Sequence, residues 1–209
     1  SGWPGAIPVE SVDGIEVTRV AGRNSFALAA RGAVRRALAQ ERPDVVVEDI
    51  NKLPLFLAGL TDRPFCVLVP HLFGTTAFQE APWPMAATVW LAELPIPWGY
   101  RRADFQAISE STRDDLVARG VRADRIRVIH PGVDSAMFCP DPTVRRTSPP
   151  SFLYIGRLKR YKGVDLAIRA LAIARRTRPD LTLDIAGTGD DRPRLEAVLQ
   201  DSPIRDRVH

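Results

Sequence analysis

The sequence predicts an α/β protein built on parallel sheets and organised as two incomplete domains. Short apolar runs rich in β-branched and aromatic residues, such as residues 45–47 and 65–69, are typical of buried strands. Between such runs lie segments whose apolar residues recur every three or four positions, which is the spacing of an amphipathic helix. Because strands alternate with helices along the chain, we expect parallel strands and a doubly wound sheet.

Composition is that of an ordinary globular protein. Of 209 residues, 45% are hydrophobic and 26% are charged, and no apolar run is long enough to span a membrane. Cys66 and Cys139 make neither a metal-ligand spacing nor a disulfide framework, and no secretory signal is visible, so we expect a cytoplasmic location. The net charge of +4 comes without a basic stripe interleaved with aromatics, so nucleic-acid binding is not expected.

Periodicity predicts the first elements. Residues 1–14 are rich in glycine, proline and small residues and are expected to be loop or disordered. Alternation over residues 15–20 predicts a short strand, and apolar spacing from Phe26 to Ala37 predicts a helix that ends before Pro43. A central parallel strand is predicted over residues 44–49, a short helix over 53–60, and a buried strand over 65–69.

Polar side chains follow two of these strands at their carboxyl ends, which is the edge where ligands bind in an open parallel sheet. Glu48, Asp49 and Asn51 belong to the first strand end, and His71 belongs to the second. A histidine there can exchange a proton or form hydrogen bonds near neutral pH. The alternative interpretation is that all four are solvated loop residues.

A strand at residues 105–108 is followed by a predicted helix. Ser109 or Ser111 can serve as its N-cap, and Gly120 is placed to end it. A strand at 126–129 then leads to Gly132, where glycine can supply an unusual backbone angle. Residues 136–150 are rich in proline and poor in apolar residues, which predicts a linker between domains at 1–135 and 151–209.

The most informative stretch is residues 151–163. An apolar run at 152–155 closes on Gly156 as a buried strand would, and a helix with one apolar face follows Gly163 to about residue 178. The loop between them adjoins a helix N-terminus, which favours anions. Arg157 offers a planar fork that suits phosphate, and Lys162 offers a point charge. The pattern predicts a phosphate-binding loop, and its alternative is a basic loop that only caps the strand.

A second glycine turn follows the next predicted strand. Residues 181–186 alternate between apolar and other residues and lead to Gly187-Thr188-Gly189, after which a helix is predicted. A lone Gly-x-Gly is weak evidence for nucleotide contact without further context.

Three motifs together resemble a known family. Gly156-Arg157-Leu158-x-x-x-Lys162-Gly163 resembles the signature that opens the C-terminal domain of retaining, nucleotide-sugar-dependent glycosyltransferases of the GT-B fold in family 4. Residues 109–116 resemble the family's S-x-S-x-x-x-x-x-L helix start. Residues 130–134 resemble its P-N-G-V-D hinge, with His-Pro in place of Pro-Asn. The resemblance implies two Rossmann-like parallel-sheet domains in the GT-B architecture.

The resemblance also implies roles for individual residues. Arg157 and Lys162 would hold the donor diphosphate with Gly156, and His71 would lie against the transferred sugar. The remaining implied positions fall into a donor set and an acceptor set. The donor set is Gly132, Gly187, Thr188 and Gly189, and the acceptor set is Glu48, Asp49, Asn51, Ser109 and Ser111.

The implied reaction moves a hexose from a nucleoside-diphosphate sugar to a hydroxyl, with retention of configuration and without a required metal or other cofactor. The acceptor would be a glycan, a lipid-linked molecule or a small molecule, as in polysaccharide biosynthesis. Aromatic residues between Phe73 and Tyr100 could form an acceptor-facing surface or one that skims the inner face of a membrane. We favour the alternative that the rings pack on the sheet, because no cationic face accompanies them.

Both ends of the sequence look cut, so we expect a fragment. Residues 1–135 would be most of the acceptor-side domain and residues 151–209 the first two βα units of the donor-side domain. The family's pair of glutamates would lie beyond His209, so we expect this chain alone to turn over no donor. Two other functions stay open: a non-catalytic or partner-dependent nucleotide-sugar-binding fragment, and a sugar-nucleotide epimerase of the GT-B fold.

Overall fold

The computed structural model describes residues 2–22, 25–51, 53–200 and 202–209, and the chain divides into two units, Ser1–Val133 and Asp134–His209. The described strands are β1 (Val9–Val12), β2 (Ile15–Thr18), β3 (Val46–Asp49), β4 (Phe65–Val69), β5 (Asp104–Ala107), β6 (Ile126–Val128), β7 (Ser151–Ile155) and β8 (Thr182–Ala186). The described α-helices are α1 (Phe26–Glu41), α2 (Ala77–Glu80), α3 (Trp83–Glu93), α4 (Ile96–Gly99), α5 (Glu110–Ala118), α6 (Val164–Ala174) and α7 (Arg192–Gln200).

The main sheet of the first unit is parallel throughout, in the order β3-β4-β5-β6. This confirms the α/β class, but β3 lies at the edge of the described sheet rather than at its centre, and its Val47 is 61% exposed. A β-branched run favours a strand without fixing the position of that strand in the sheet. The middle strands supply the fully buried side chains of this core, among them Val67, Val69 and Ala107.

Residues 9–18 form an antiparallel hairpin of β1 and β2, so the prediction of loop over the whole of residues 1–14 was wrong. Val12 pairs with Ile15, which leaves Asp13 and Gly14 as a two-residue turn with φ values of 51° and 81°. Asp-Gly is a preferred sequence for such a turn. The Asp-Gly pair therefore indicated a hairpin, but the other glycines and prolines of residues 1–14 favoured a loop.

The predicted helix at residues 53–60 is reduced to a 3-10 turn at Leu57–Leu60. Phe56 has a φ of 54°, which no α-helical residue adopts, and its amide donates to the Tyr100 hydroxyl. The Leu55 and Leu57 amides donate to the carboxylate of Glu48. Three tertiary hydrogen bonds therefore replace the local helix.

Aromatic residues of the region 73–100 divide into buried and exposed rings. Tyr100 is 1% exposed and stacks on Phe56 with ring centroids 5.1 Å apart. Trp83 and Trp98 are 72% and 73% exposed, so the expectation that the rings of this region pack on the sheet holds for Tyr100 but was wrong for these two. Helix α3 is apolar around nearly its whole circumference and can turn only one side, including Ala86, to the core.

The second unit is a parallel pair, β7 and β8, backed by α6 and α7. Val208 bridges to Leu183 in parallel, and the His209 amide donates to the Leu183 carbonyl at 3.0 Å, so a further extended segment lies beside β8. Helix α6 ends at Ala174 rather than near residue 178, because residues 175–178 form turns ahead of Pro179.

The predicted linker, residues 136–150, is exposed and contains no helix or strand. Across the described ranges, no helix is both long enough and apolar enough to cross a bilayer.

Candidate functional site

Four parallel strands bring their carboxyl ends to one edge of the first sheet. Asn51, His71, Ser109 and His130 each stand within two residues of such a strand end. The His130 imidazole contacts the Ile108 carbonyl at 3.1 Å. The topology therefore places the predicted His71, Asn51 and Ser109 along one edge of one sheet.

Glu48 departs from its predicted place at this edge. It is buried, and its Oε1 accepts hydrogen bonds from the Leu55 amide at 2.6 Å and the Tyr100 hydroxyl at 2.5 Å, while Oε2 accepts from the Leu57 amide at 3.0 Å. Burial and the hydrogen bond to Glu48 raise the pKa of Tyr100 well above its usual value. A carboxylate so occupied holds the interior together, and this placement does not support an acceptor-facing role. Its neighbour Asp49 is exposed, as is Asn51.

His71 is exposed in the loop that follows β4. Its imidazole meets the Phe73 ring edge-on, with centroids 4.7 Å apart. On one side of His71 the Pro70 carbonyl accepts a hydrogen bond from Thr112 Oγ1 at 3.2 Å. On the other side, the Phe73 and Gly74 amides donate to Glu93 at 2.8 Å each. The backbone around His71 is therefore anchored at both ends.

Ser109, one of the two predicted candidates, is the N-cap of α5. Its Oγ accepts from the Thr112 amide at 3.2 Å and lies 3.0 Å from the Ser111 hydroxyl. Capping accounts for Ser109, while the exposed Ser111 has room for a further contact.

In the second unit, two glycine turns run side by side beyond the ends of β7 and β8. The Gly156 amide donates to the Ala186 carbonyl at 3.1 Å, and the Leu158 amide donates to the Thr188 carbonyl at 2.9 Å. A Cβ on Gly187 would lie 1.9 Å from the Gly156 carbonyl oxygen, and one on Gly189 would lie 2.0 Å from the Leu158 oxygen. The close approach of the two backbones explains the glycines of Gly187-Thr188-Gly189.

The cations on this pair of turns differ in whether a carboxylate neutralises them. Lys159 is neutralised by Asp190 at 2.9 Å. Arg157 and Lys162 form no ion pair with any residue that the structure describes, and both are exposed. Their contacts are with Tyr161: the Arg157 guanidinium lies 3.5 Å from its hydroxyl, and the Lys162 ammonium lies 5.1 Å from its ring centroid. Arg160 of the same loop is also exposed and forms no ion pair with the described residues, so three cations without carboxylate partners are available there to an anionic ligand.

The loop leads into α6 through Gly163, whose φ is 64°. A residue with a side chain is disfavoured at that angle, which accounts for the glycine of the motif. Gly163, the N-cap residue of α6, has no side chain with which to cap the helix. Asp165 in its first turn is instead held by Arg194 at 3.1 Å.

Gly132 has no conformational need for glycine. Its φ is not in the left-handed region, and an added Cβ would meet nothing within 4 Å. The expectation of an unusual backbone angle at Gly132 was therefore wrong.

The sequence reasoning missed Glu93, Arg119 and Tyr161. Glu93 carried a signal, since it is the one acidic residue in the eleven residues of α3. A lone carboxylate in an apolar helix indicates a buried hydrogen-bonded group. Within the described ranges, no group of three or more His, Cys, Asp or Glu side chains is arranged to hold a metal ion.

Comparison with known proteins decides the family. Residues 1–137 match the family described as Glycosyltransferase Family 4, and residues 140–209 match Glycosyl transferases group 1. The chain belongs to glycosyltransferase family 4. This confirms the resemblance carried by the loop at residues 156–163.

Curated relatives of this family 4 chain include a glycogen synthase from Mycobacterium tuberculosis, 33% identical over 170 residues. That match covers 76% of this chain and 40% of the relative. A D-inositol 3-phosphate glycosyltransferase from Paenarthrobacter aurescens is 38% identical over 109 residues, which are 46% of this chain and 26% of the relative. The chain thus spans well under half of the length of these relatives.

Solved structures confirm the GT-B fold class. Sucrose-phosphate synthase from Thermosynechococcus elongatus has a TM-score of 0.69 at 18% identity, covering 99% of this chain and 57% of that one. The HepE protein from Anabaena, solved in complex with UDP, has a TM-score of 0.61 at 18% identity, covering 90% of this chain and 52% of that one. At this identity the likeness concerns the fold alone.

Proposed function

We propose that the chain is part of a glycosyltransferase that moves a hexose from a nucleoside-diphosphate sugar to a hydroxyl with retention of configuration. The observation that carries the proposal is the pair of exposed cations, Arg157 and Lys162, without carboxylate partners on the loop between β7 and α6. That loop lies at the carboxyl end of a parallel strand beside a helix N-terminus, which is the place for a phosphate in such sheets. The match of residues 140–209 to Glycosyl transferases group 1 supports the same role.

In this proposal the donor diphosphate binds across Arg157 and Lys162. Negative charge builds on the diphosphate as its bond to the sugar breaks, and fixed cations stabilise that charge more in the transition state than in the ground state. Losing one such group costs on the order of 3 kcal/mol in barrier height. Neutralisation by two side chains would let the reaction proceed without a metal, so turnover should persist in excess EDTA.

The turn at Gly187–189 would lie beside the nucleotide, because it is hydrogen-bonded to the loop that carries Arg157. Access supports this placement, since Gly187, Thr188 and Gly189 are all exposed.

His71 is proposed to support the geometry of the transferred sugar. It is exposed, stands at the ligand-binding edge of the first sheet and keeps its imidazole against one aromatic ring. Asp49, Asn51 and Ser111 are exposed at or near the same edge and are proposed to meet the acceptor hydroxyl. Glu48 is left out because both of its carboxylate oxygens are already occupied.

The acceptor is proposed to be a glycan, a lipid-linked molecule or a small molecule used in the cytoplasm. The exposed Trp83 and Trp98 favour an acceptor held near a membrane surface, since tryptophan is suited to the interface between lipid and water.

A second candidate is nucleotide-sugar binding without turnover by residues 1–209 themselves. The observation that favours it is the uncovered β7, where Leu153 and Ile155 are 63% and 75% exposed. A two-stranded sheet with an open apolar side is a marginal scaffold for catalysis. An epimerase of the same fold is favoured by none of the relatives described above.

The test is an incubation with UDP-glucose, UDP-galactose, GDP-mannose and UDP-N-acetylglucosamine in turn, using the protein as expressed from its gene and, separately, residues 1–209. Release of nucleoside diphosphate with an α-linked product, read from the anomeric proton by NMR, is expected for the former. Binding without release is expected for the latter. An inverted product or a C-epimerised sugar nucleotide would contradict the proposal.

A further inference from the structure

We propose that Glu93 and Arg119 are positioning residues that hold the loop of His71 in its working geometry, an inference that rests on the role proposed for His71. Glu93 ends α3 and Arg119 follows α5, and neither is a neighbour of His71 in sequence. Their contacts converge on the backbone just after it.

Glu93 is 1% exposed, and both of its carboxylate oxygens are engaged. Oε1 accepts from the Phe73 amide at 2.8 Å, while Oε2 accepts from the Gly74 amide at 2.8 Å and from Arg119 Nη1 at 3.2 Å. A buried carboxylate is tolerated only when charge and hydrogen bonds compensate its lost hydration. Here the compensation comes from two successive loop amides, so the burial of Glu93 fixes the backbone at residues 73 and 74.

We call the hydrogen bonds from the Phe73 and Gly74 amides to Glu93 the clamp, and Arg119 connects this clamp to α5. Its Nε donates to Asp115 at 3.1 Å, so the guanidinium is held from two sides. The same helix carries Thr112, whose hydroxyl donates to the Pro70 carbonyl. Helix α5 therefore anchors the chain immediately before His71 directly and the chain after it through Glu93.

Gly74, whose amide donates to Glu93, also lies against Arg119. Its φ is 53°, and a Cβ there would lie 2.8 Å from Arg119 Nη2. The positive φ by itself disfavours a residue with a side chain at position 74, and the Arg119 guanidinium lies directly beside this glycine.

The consequence for His71 passes through Phe73. The Phe73 amide is held by Glu93, and the Phe73 ring forms the edge-on contact with the imidazole. Loosening Glu93 frees the aromatic wall against which the imidazole lies. A displaced imidazole reduces turnover even though the histidine itself is still present.

The first test is NMR on residues 1–209, because the chain has only three histidines. Glu93→Gln replaces one carboxylate oxygen with an NH₂ group that cannot accept from a loop amide. We expect the ring resonances of His71 to shift, while those of His209 in the second unit stay in place. Phe73→Leu gives the reference shift for removal of the aromatic ring. Unchanged His71 resonances in a folded Glu93→Gln protein would overturn the inference.

Should Glu93→Gln fail to fold, Arg119→Lys is the second variant. It keeps the charge but removes the fork that spans Glu93 and Asp115, and it should shift the His71 resonances in the same direction. If Arg119→Lys folds and His71 does not respond, the inference is equally overturned.

The second test is kinetic, in the protein as expressed from its gene. Glu93→Gln should lower kcat on the order of 10-fold to 100-fold with donor KM unchanged. Loss of turnover in His71→Ala with normal turnover in Glu93→Gln would refute the positioning role alone. Normal turnover in His71→Ala would refute the role proposed for His71 and, with it, the positioning role of Glu93 and Arg119.

Discussion

A Cβ placed on Gly187 would stand 1.9 Å from the carbonyl oxygen of Gly156, so the two turns of the donor-side unit meet backbone to backbone. This contact joins the turn after β8 to the turn that carries Arg157. Any side chain at position 187 forces the two apart.

Gly187→Ala is therefore expected to separate the turns, to destabilise the second unit by about 1–3 kcal/mol or more, and to abolish binding of nucleoside diphosphate. Urea unfolding and a binding titration measure the two effects. Gly59→Ala is the matched control, because a Cβ there meets nothing within 4 Å and φ is not positive. Equal stability of the two variants would contradict the close approach.

Glu48→Gln is expected to destabilise the first unit. An amide has one acceptor oxygen, so one of the Leu55 and Leu57 amides loses its partner, which costs about 1–3 kcal/mol for a buried donor. Chemical denaturation monitored by tryptophan fluorescence measures this loss. Asp49→Asn, one residue further on and exposed, should leave stability within about 0.5 kcal/mol of wild type. A larger effect at Asp49 than at Glu48 would reverse the assignment of structural and exposed carboxylates.

Acid should destabilise the second unit by protonating the two carboxylates that pair with Arg194. Its guanidinium donates to Asp165 and Asp191 and holds the pKa of each carboxyl below its usual value. A lowered pKa in the folded state contributes stability above the unfolded value of about 4. That stability is lost as the pH falls through the folded pKa. Unfolding curves between pH 7 and pH 2 should show a steeper loss in wild type than in Arg194→Met.

Arg176→Met is the control for this pH dependence, because Arg176 lies in the turns that follow α6 and forms no ion pair with the described residues. It should retain the wild-type slope. Identical slopes for wild type and Arg194→Met would show that the Arg194 pairs do not set the acid sensitivity.

The exposed tryptophans predict binding to anionic vesicles. Trp83 and Trp98 lie outside the core, and Arg101 and Arg102 are exposed next to α4. The protein should co-sediment with phosphatidylglycerol vesicles, and Trp83→Ser with Trp98→Ser should reduce the bound fraction. Trp3→Ser removes an exposed tryptophan that instead stacks under Arg19, and it should bind as wild type does. Recovery of wild type in the supernatant would exclude membrane contact through these rings.

Local patterns predicted most elements of the fold. Helix α1 was predicted from apolar periodicity and strand β4 from its continuous apolar run, while residue type left Ser109 and Ser111 as the two candidate N-caps of α5. Predictions failed where contacts between residues distant in the sequence determine the local structure. Glu48 is held by groups up to 52 residues away, and that pairing leaves no local trace in the sequence.

The site was predicted unevenly for the same reason. The glycine and cation pattern of residues 156–163 is local, so Arg157 and Lys162 could be selected from the sequence. Their lack of carboxylate partners became visible only in the structure, because Lys159 in the same loop does find one in Asp190. The clamp of Glu93 on the loop of His71 depends on a helix that begins twelve residues further along the chain.

The central claim is that Arg157 and Lys162 hold a nucleoside diphosphate. Isothermal titration of UDP and GDP into residues 1–209 tests it, beside Arg157→Ala with Lys162→Ala and beside the control Arg176→Ala. Charged hydrogen bonds contribute about 1.5–3 kcal/mol each, so the double variant should lose measurable binding while the control keeps it. Equal affinity of wild type and the double variant would contradict the claim.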